Sequence, residues 1–134
     1  MDKNTYEKTL HQFTGTEAYH ASVMSDVVLT DGALWVSQHG LEQAVNTIAA
    51  RQVEVRKANK AMKQFQVWGL KKVPSPTTGR AFEWELTGGT GAKGKKAVCT
   101  SRFAELPDFP LDAIQFYVEP SAEGQGVIML TSER

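Results

Sequence analysis

Near Gln64 the spacing of apolar residues changes from a helical to an extended period, and this switch limits what the chain can fold into more than any other feature. Upstream, Leu41, Ala44, Val45, Ile48 and Ala49 recur three and four positions apart, the pattern of one helix face. Downstream, Phe82, Trp84 and Leu86 alternate with Glu83 and Glu85. Ile114, Phe116 and Val118 alternate in the same way with Gln115, Tyr117 and Glu119, the two-residue period of a half-buried strand. Further strands are expected over residues 64–70, 97–103 and 127–130, separated by turn-forming stretches such as Pro74-Ser75-Pro76-Thr77-Thr78-Gly79. Helices followed by a run of strands on short connections predict an α+β fold, with N-terminal helices packed on one face of a roughly five-stranded antiparallel sheet. A length of 134 residues fits a single domain over 1–134.

The upstream part divides into short pieces. Residues 4–12 read as a helix capped by Asn4 or Thr5, with Tyr6 and Leu10 on one side. Gly15 breaks it, and Thr16 with Glu17 predicts a second short helix that buries Tyr19 and Val23. The triplet Val27-Val28-Leu29 is apolar enough to be buried in any fold. Thr30 or Asp31 suits the cap of a helix over 33–39, which Gly40 interrupts. The helix that starts at Leu41 is expected to end near Gln52, although Gln52 and Val55 would extend its stripe.

Charge narrows the partners. The net charge is zero, unlike a dedicated nucleic-acid binder or an acidic mimic of DNA. Along the chain it is segregated. Residues 1–50 hold two basic and six acidic side chains, net −4; residues 51–102 hold twelve and three, net +9; residues 103–134 hold one and six, net −5. The middle third is a candidate anion-facing surface, and the plainer reading is that it neutralises the acidic ends once folded. Cys99 is the single cysteine, so no intramolecular disulfide forms, which suits a reducing compartment. The polar start and the lack of any run near 18 apolar residues predict neither a secretory signal nor a membrane span, and so a cytoplasmic protein.

Motifs with chemical potential each have a plainer explanation. Gly89-Thr90-Gly91-Ala92-Lys93-Gly94-Lys95-Lys96 matches most of a phosphate-binding loop. It has Lys96 where Ser or Thr is needed, and it runs into strand-like residues, so a hairpin loop is the better reading. His11, His20 and His39 have no metal-binding spacing, and a site from His20, His39 and Asp31 would need the fold to gather them. Cys99 would need a histidine beside it to act as a nucleophile. Asp31, Glu17 and Glu85 form no evident acid–base pair, and Asp31 and Asp112 suit caps or turns. The rings of Trp35, Trp68, Trp84, Phe65 and Phe82 suit a core better than a platform for single-stranded nucleic acid. Lys71 and Lys72 are placed to pair with Glu83 and Glu85 across a hairpin.

Several pieces taken in order resemble a known family. They are Leu10-His11-Gln12-Phe13-Thr14-Gly15-Thr16-Glu17, Thr30-Asp31-Gly32, Gln64-Phe65-Gln66-Val67-Trp68, Asp108-Phe109-Pro110-Leu111-Asp112-Ala113-Ile114 with Tyr117, and Val127-Ile128-Met129-Leu130-Thr131-Ser132-Glu133. The family is a domain of unknown function found in small bacterial, plasmid and phage proteins, and the resemblance spans almost the whole chain. It implies a compact intracellular domain of mobile-element type, and it supplies no catalytic residues and no cofactor. The lysine-rich segments at 56–63 and 93–96 depart from it. The stretch from Asp108 to Asp112 reads as architecture, with Pro110 fixing φ and Asp112 closing a turn. The expected function is therefore a non-catalytic protein-binding module, an anti-CRISPR-like inhibitor carried by a phage or plasmid that contacts a host protein. Its expected surface is Arg56, Lys57, Lys60, Lys63, Lys93, Lys95 and Lys96. The alternative is a nucleic-acid-binding accessory protein using the same basic middle.

Overall fold

The structure is a computed structural model that describes residues 1–134. All the strands expected downstream of Gln64 form, and two more join them. The helices are α1 (Lys3–Leu10), α2 (Asp31–Val36), α3 (Glu42–Ala50) and α4 (Gln52–Ala58), followed by a short 3-10 turn, Lys60–Lys63. The strands are β1 (His20–Ala21), β2 (Val27–Leu29), β3 (Gln66–Pro74), β4 (Phe82–Gly89), β5 (Cys99–Phe103), β6 (Ala113–Pro120) and β7 (Gly126–Leu130). They make one sheet in the order β1-β2-β7-β6-β3-β4-β5.

The fold is α+β as expected, but the sheet is seven-stranded and mixed rather than five-stranded and antiparallel. The difference lies in β1 and β2. β2 runs parallel to β7, with Val28 opposite Val127, and β1 pairs antiparallel on its other side. The expected helix after Gly15 does not form. Asp31 takes its place as an organiser: its carboxylate accepts the Glu17 N–H at 2.9 Å, and its own N–H donates to Thr16 Oγ1 at 2.9 Å. Tyr19 and Val23, expected to be buried, are 63% and 59% exposed.

The alternation read from the sequence sets the two faces. Trp68 and Leu70 of β3, Trp84 and Leu86 of β4, Phe116 and Val118 of β6, and Ile128 and Leu130 of β7 join one buried cluster. Val36, Leu41, Ala44, Val45, Ile48 and Val55 complete it from the helical side. Each fully buried side chain of this size stabilises the fold by roughly 1.5–3 kcal/mol relative to exposure. α1 enters the core through Tyr6, which packs on Trp35 and Phe109 and donates its hydroxyl to the His39 carbonyl at 2.8 Å. Burial pushes that phenol well above its ordinary pKa. The cap of α1 is Asp2, two residues before the expected Asn4, and it accepts the Thr5 N–H. Thr30 caps α2 as expected, accepting the Ala33 N–H.

Between α2 and α3 the chain kinks over Ser37–Leu41. Gly40 makes this possible with φ near +103, and a Cβ there would sit 2.7 Å from the Asp108 backbone. After α3 the helical path does not stop at Gln52. It breaks at Arg51 and resumes through α4 to Ala58, with Gln52 and Val55 buried.

Candidate functional site: the basic end of the sheet

A buried pair of glutamines places the first basic segment. Gln52 and Gln66 exchange both amide hydrogen bonds, at 2.9 and 2.8 Å. Gln52 also donates to the Ile48 carbonyl and Gln66 to the Met62 carbonyl, while the Trp68 indole donates to Gln66 Oε1 at 2.7 Å. A buried network satisfied to this degree is rigid and specific. It pins the start of α4 and the 3-10 turn against the start of β3, with residues 56–63 between its two halves. The sequence carried a signal for it, since both glutamines fall on core-facing positions and a buried amide requires partners.

Strand register places the second segment. Val67 lies opposite Gly89 and Gly88 opposite Cys99, so the loop between β4 and β5 emerges at the end where β3 begins. Left-handed Gly91 lies against Val67, and Gly94 allows the second bend. The loop joins two antiparallel strands, as a hairpin loop does, and no helix follows it. Lys93, Lys95 and Lys96 are exposed on it, and Lys57, Lys60 and Lys63 are exposed on the neighbouring segment. The fold thus brings the two lysine groups to one end of the sheet.

Arg56 differs from the lysines. It is half-buried, its guanidinium sits against Gly126, and its Nε is buried with no hydrogen-bond partner. A side chain at position 126 would occupy the space this head group needs. Arg56 therefore braces α4 on the β6–β7 hairpin and is only partly available to a partner.

None of these seven cations is in an ion pair. Five other cations are paired: Arg51 with Glu54 at 2.9 Å, Lys72 with Asp112 at 3.1 Å, Arg80 with Glu105 at 3.9 Å, Arg134 with Glu119, and Arg102 with Glu83 and Glu85 at 2.6 and 3.0 Å. Arg102 also corrects the expected cross-strand pairs of Lys71 and Lys72. Lys72 stands opposite Trp84, on the other face from the glutamates, and lies over the Phe82 ring. Lys71 is opposite Glu85, but the forked guanidinium reaching from β5 takes both carboxylates. Asp26 and Glu123 on turns and Glu54 near Cys99 are acidic residues at this end, set against six exposed lysines. Lysine ammoniums in this state act as solvated point charges, suited to carboxylates or phosphates.

The other candidates for chemistry separate in space. His20 Nε2 and Asp31 Oδ1 meet at 2.8 Å, while His39 stacks on the Trp35 ring and bonds the Trp35 carbonyl. The Glu17 amide, and then His20, hold the Asp31 carboxyl below its usual range. No group of three or more His, Cys, Asp or Glu stands together as a metal site. Burial pushes the Cys99 thiol up, with partial relief from Arg51, and neither His20 nor His39 is its partner. No helix is long and apolar enough to cross a membrane.

The pieces that carried the family resemblance mostly meet at the opposite end. Glu133 accepts from Thr30 Oγ1, the Gly32 N–H and the Leu130 N–H, at 2.6, 3.0 and 2.9 Å. Thr16 and Glu17 hold Asp31 beside it. Phe109 is core, touching Tyr6 and Trp84. In comparison with known proteins, the model of a family of unknown function, DUF6876, matches residues 4–134. No curated protein and no solved structure matches the chain.

Proposed function

The chain belongs to the DUF6876 family, and on that premise we propose that it is a small non-catalytic protein-binding module that docks an acidic partner on the basic end of its sheet. The observation that carries this reading is the contrast in pairing. Five of the nine other lysines and arginines have carboxylate partners, whereas Lys57, Lys60, Lys63, Lys93, Lys95 and Lys96 are exposed and have none. Inhibition or recruitment by contact needs only such a surface, placed by a rigid support. The finer proposal is a cytoplasmic counter-defence inhibitor of anti-CRISPR type, carried by a phage or plasmid and directed at a host protein.

The same cations favour a second reading, an accessory protein that binds nucleic acid. Its affinity would fall with salt at a slope of about 0.9 per phosphate contacted on a duplex. Recovery of partners from nuclease-treated host lysate, by wild type and by K93E/K95E/K96E, separates the two. A protein held by the wild type and lost by the variant supports docking through this end. Equal recovery of every partner by both rejects the surface. Retention of bare DNA or RNA probes at low salt, lost in the variant, moves the assignment to the second reading.

A further inference from the structure

The opposite end of the molecule holds an open cleft of about 330 Å³, independent of the lysine surface. Its floor is aromatic. Trp84 is 2% exposed and packs on Phe109 with ring centroids 5.4 Å apart. Phe82, two residues before Trp84 on the same face of β4, stands edge-on to it at 6.4 Å and remains 41% exposed. The segment through Leu106 and Pro107 forms the other wall.

Two cations stand at the mouth. Lys72 Nζ lies 4.2 Å from the centroid of Phe82 and 5.5 Å from that of Trp84. Arg80 lines the same space. Both have carboxylate partners that are easily displaced. The side chains of Asp112 and Glu105 are each 73% exposed, and the Arg80–Glu105 pair is stretched to 3.9 Å. Exposed pairs of this kind contribute about 0–1 kcal/mol, so an incoming acid group can take either cation.

We propose that this cleft binds a planar aromatic acid, with one or two rings set against the exposed Phe82 ring above the buried Trp84 floor and a carboxylate or phosphate held by Lys72 and Arg80. The size fits, since small-molecule sites begin at about 300 Å³. The chemistry fits as well. A neutral apolar ligand would cover both cations and give them nothing, and a cationic one would be repelled by them. The ring supplies the quadrupole contact that Phe82 now offers to Lys72 alone.

The test is a titration of the full chain followed by amide proton–nitrogen spectra, with naphthoate as the probe. Naphthalenemethanol serves as the neutral ring and octanoate as the acid without a ring. Naphthoate should give saturable shifts confined to residues 71–73, 80–84 and 104–109, and each control should bind about tenfold more weakly. F82A and R80Q should each weaken naphthoate about tenfold, while K93E/K95E/K96E leaves it unchanged. Arg80 is on the surface, so R80Q decides the matter if F82A fails to keep the wild-type spectrum. The proposal is overturned by the absence of saturable shifts, by shifts centred on the lysine end, or by equal binding of the alcohol.

Discussion

The two ends of the sheet use charge in opposite ways. At one, the Glu133 carboxylate closes a knot with Thr30, Gly32 and Leu130, and Asp31 gathers Thr16, Glu17 and His20. At the other, six lysines stand without partners, and neutral amides, Gln52 and Gln66, hold the backbone that carries them. Charged groups therefore secure the fold where most of the family motifs meet, and uncharged ones, including Gln66 of the remaining motif, secure it where the free charge is displayed. A surface kept in place by neutral contacts can change its charges without losing its shape. That separation is what a docking surface requires.

The largest expected effect tests the neutral clamp. Gln66→Ala leaves the Gln52 amide and the Trp68 indole without their partner and should cost about 3 kcal/mol in urea unfolding. A loss under about 1 kcal/mol would mean that water replaces the amide and that the basic end is not held from below. Next, Glu133→Ala should cost about 2 kcal/mol, because three donors lose one acceptor. If that loss is negligible, the knot is incidental and the contrast between the ends fails.

The third prediction concerns pH. The carboxyl of Asp31 is depressed below its ordinary value of 3.8 by the Glu17 amide and His20. A depressed folded value favours the folded state when the group is ionised. This contribution is complete well above 3.8 and is lost as pH falls through the folded-state value. Asp31→Asn should therefore show a shallower acid-side fall in its urea midpoint than wild type, and parallel curves would remove Asp31 as an organiser. The smallest effect is on the stability of K93E/K95E/K96E, expected within about 0.5 kcal/mol of wild type. A larger loss would show that these lysines are structural after all.

Much of the downstream half was legible because its signals are local. The alternation of Phe82, Trp84 and Leu86, and of Ile114, Phe116 and Val118, located two strands and their buried faces. The expected sheet missed β2 because three consecutive apolar residues show no period, and because its partner β7 lies near the far end of the chain. The expected helix at Thr16 failed for a related reason. Thr16 and Glu17 have good starting chemistry for a helix, but their bonding groups are taken by Asp31. The basic residues of the candidate surface were visible as composition. Their convergence was not, since it depends on the register of Val67 with Gly89 and on a clamp between Gln52 and Gln66. Arg56 was grouped with the lysines because nothing local shows that its head group rests on Gly126.

The parallel pairing of β2 with β7 also bears on how the molecule assembles. Thr30 and Ile128, which share hydrogen bonds at the end of that pair, are 98 positions apart. β3, β4 and β5 pair through hairpins, and closing a short loop costs less entropy than bringing together segments so distant. A meander containing β3, β4 and β5 is expected to precede the joining of β2 to β7. Until that seam closes, one side of β7 offers unpaired backbone groups to any strand that meets it first. The time the chain takes to bring its two extremities together thus sets the interval in which it is open to mispairing with its own copies.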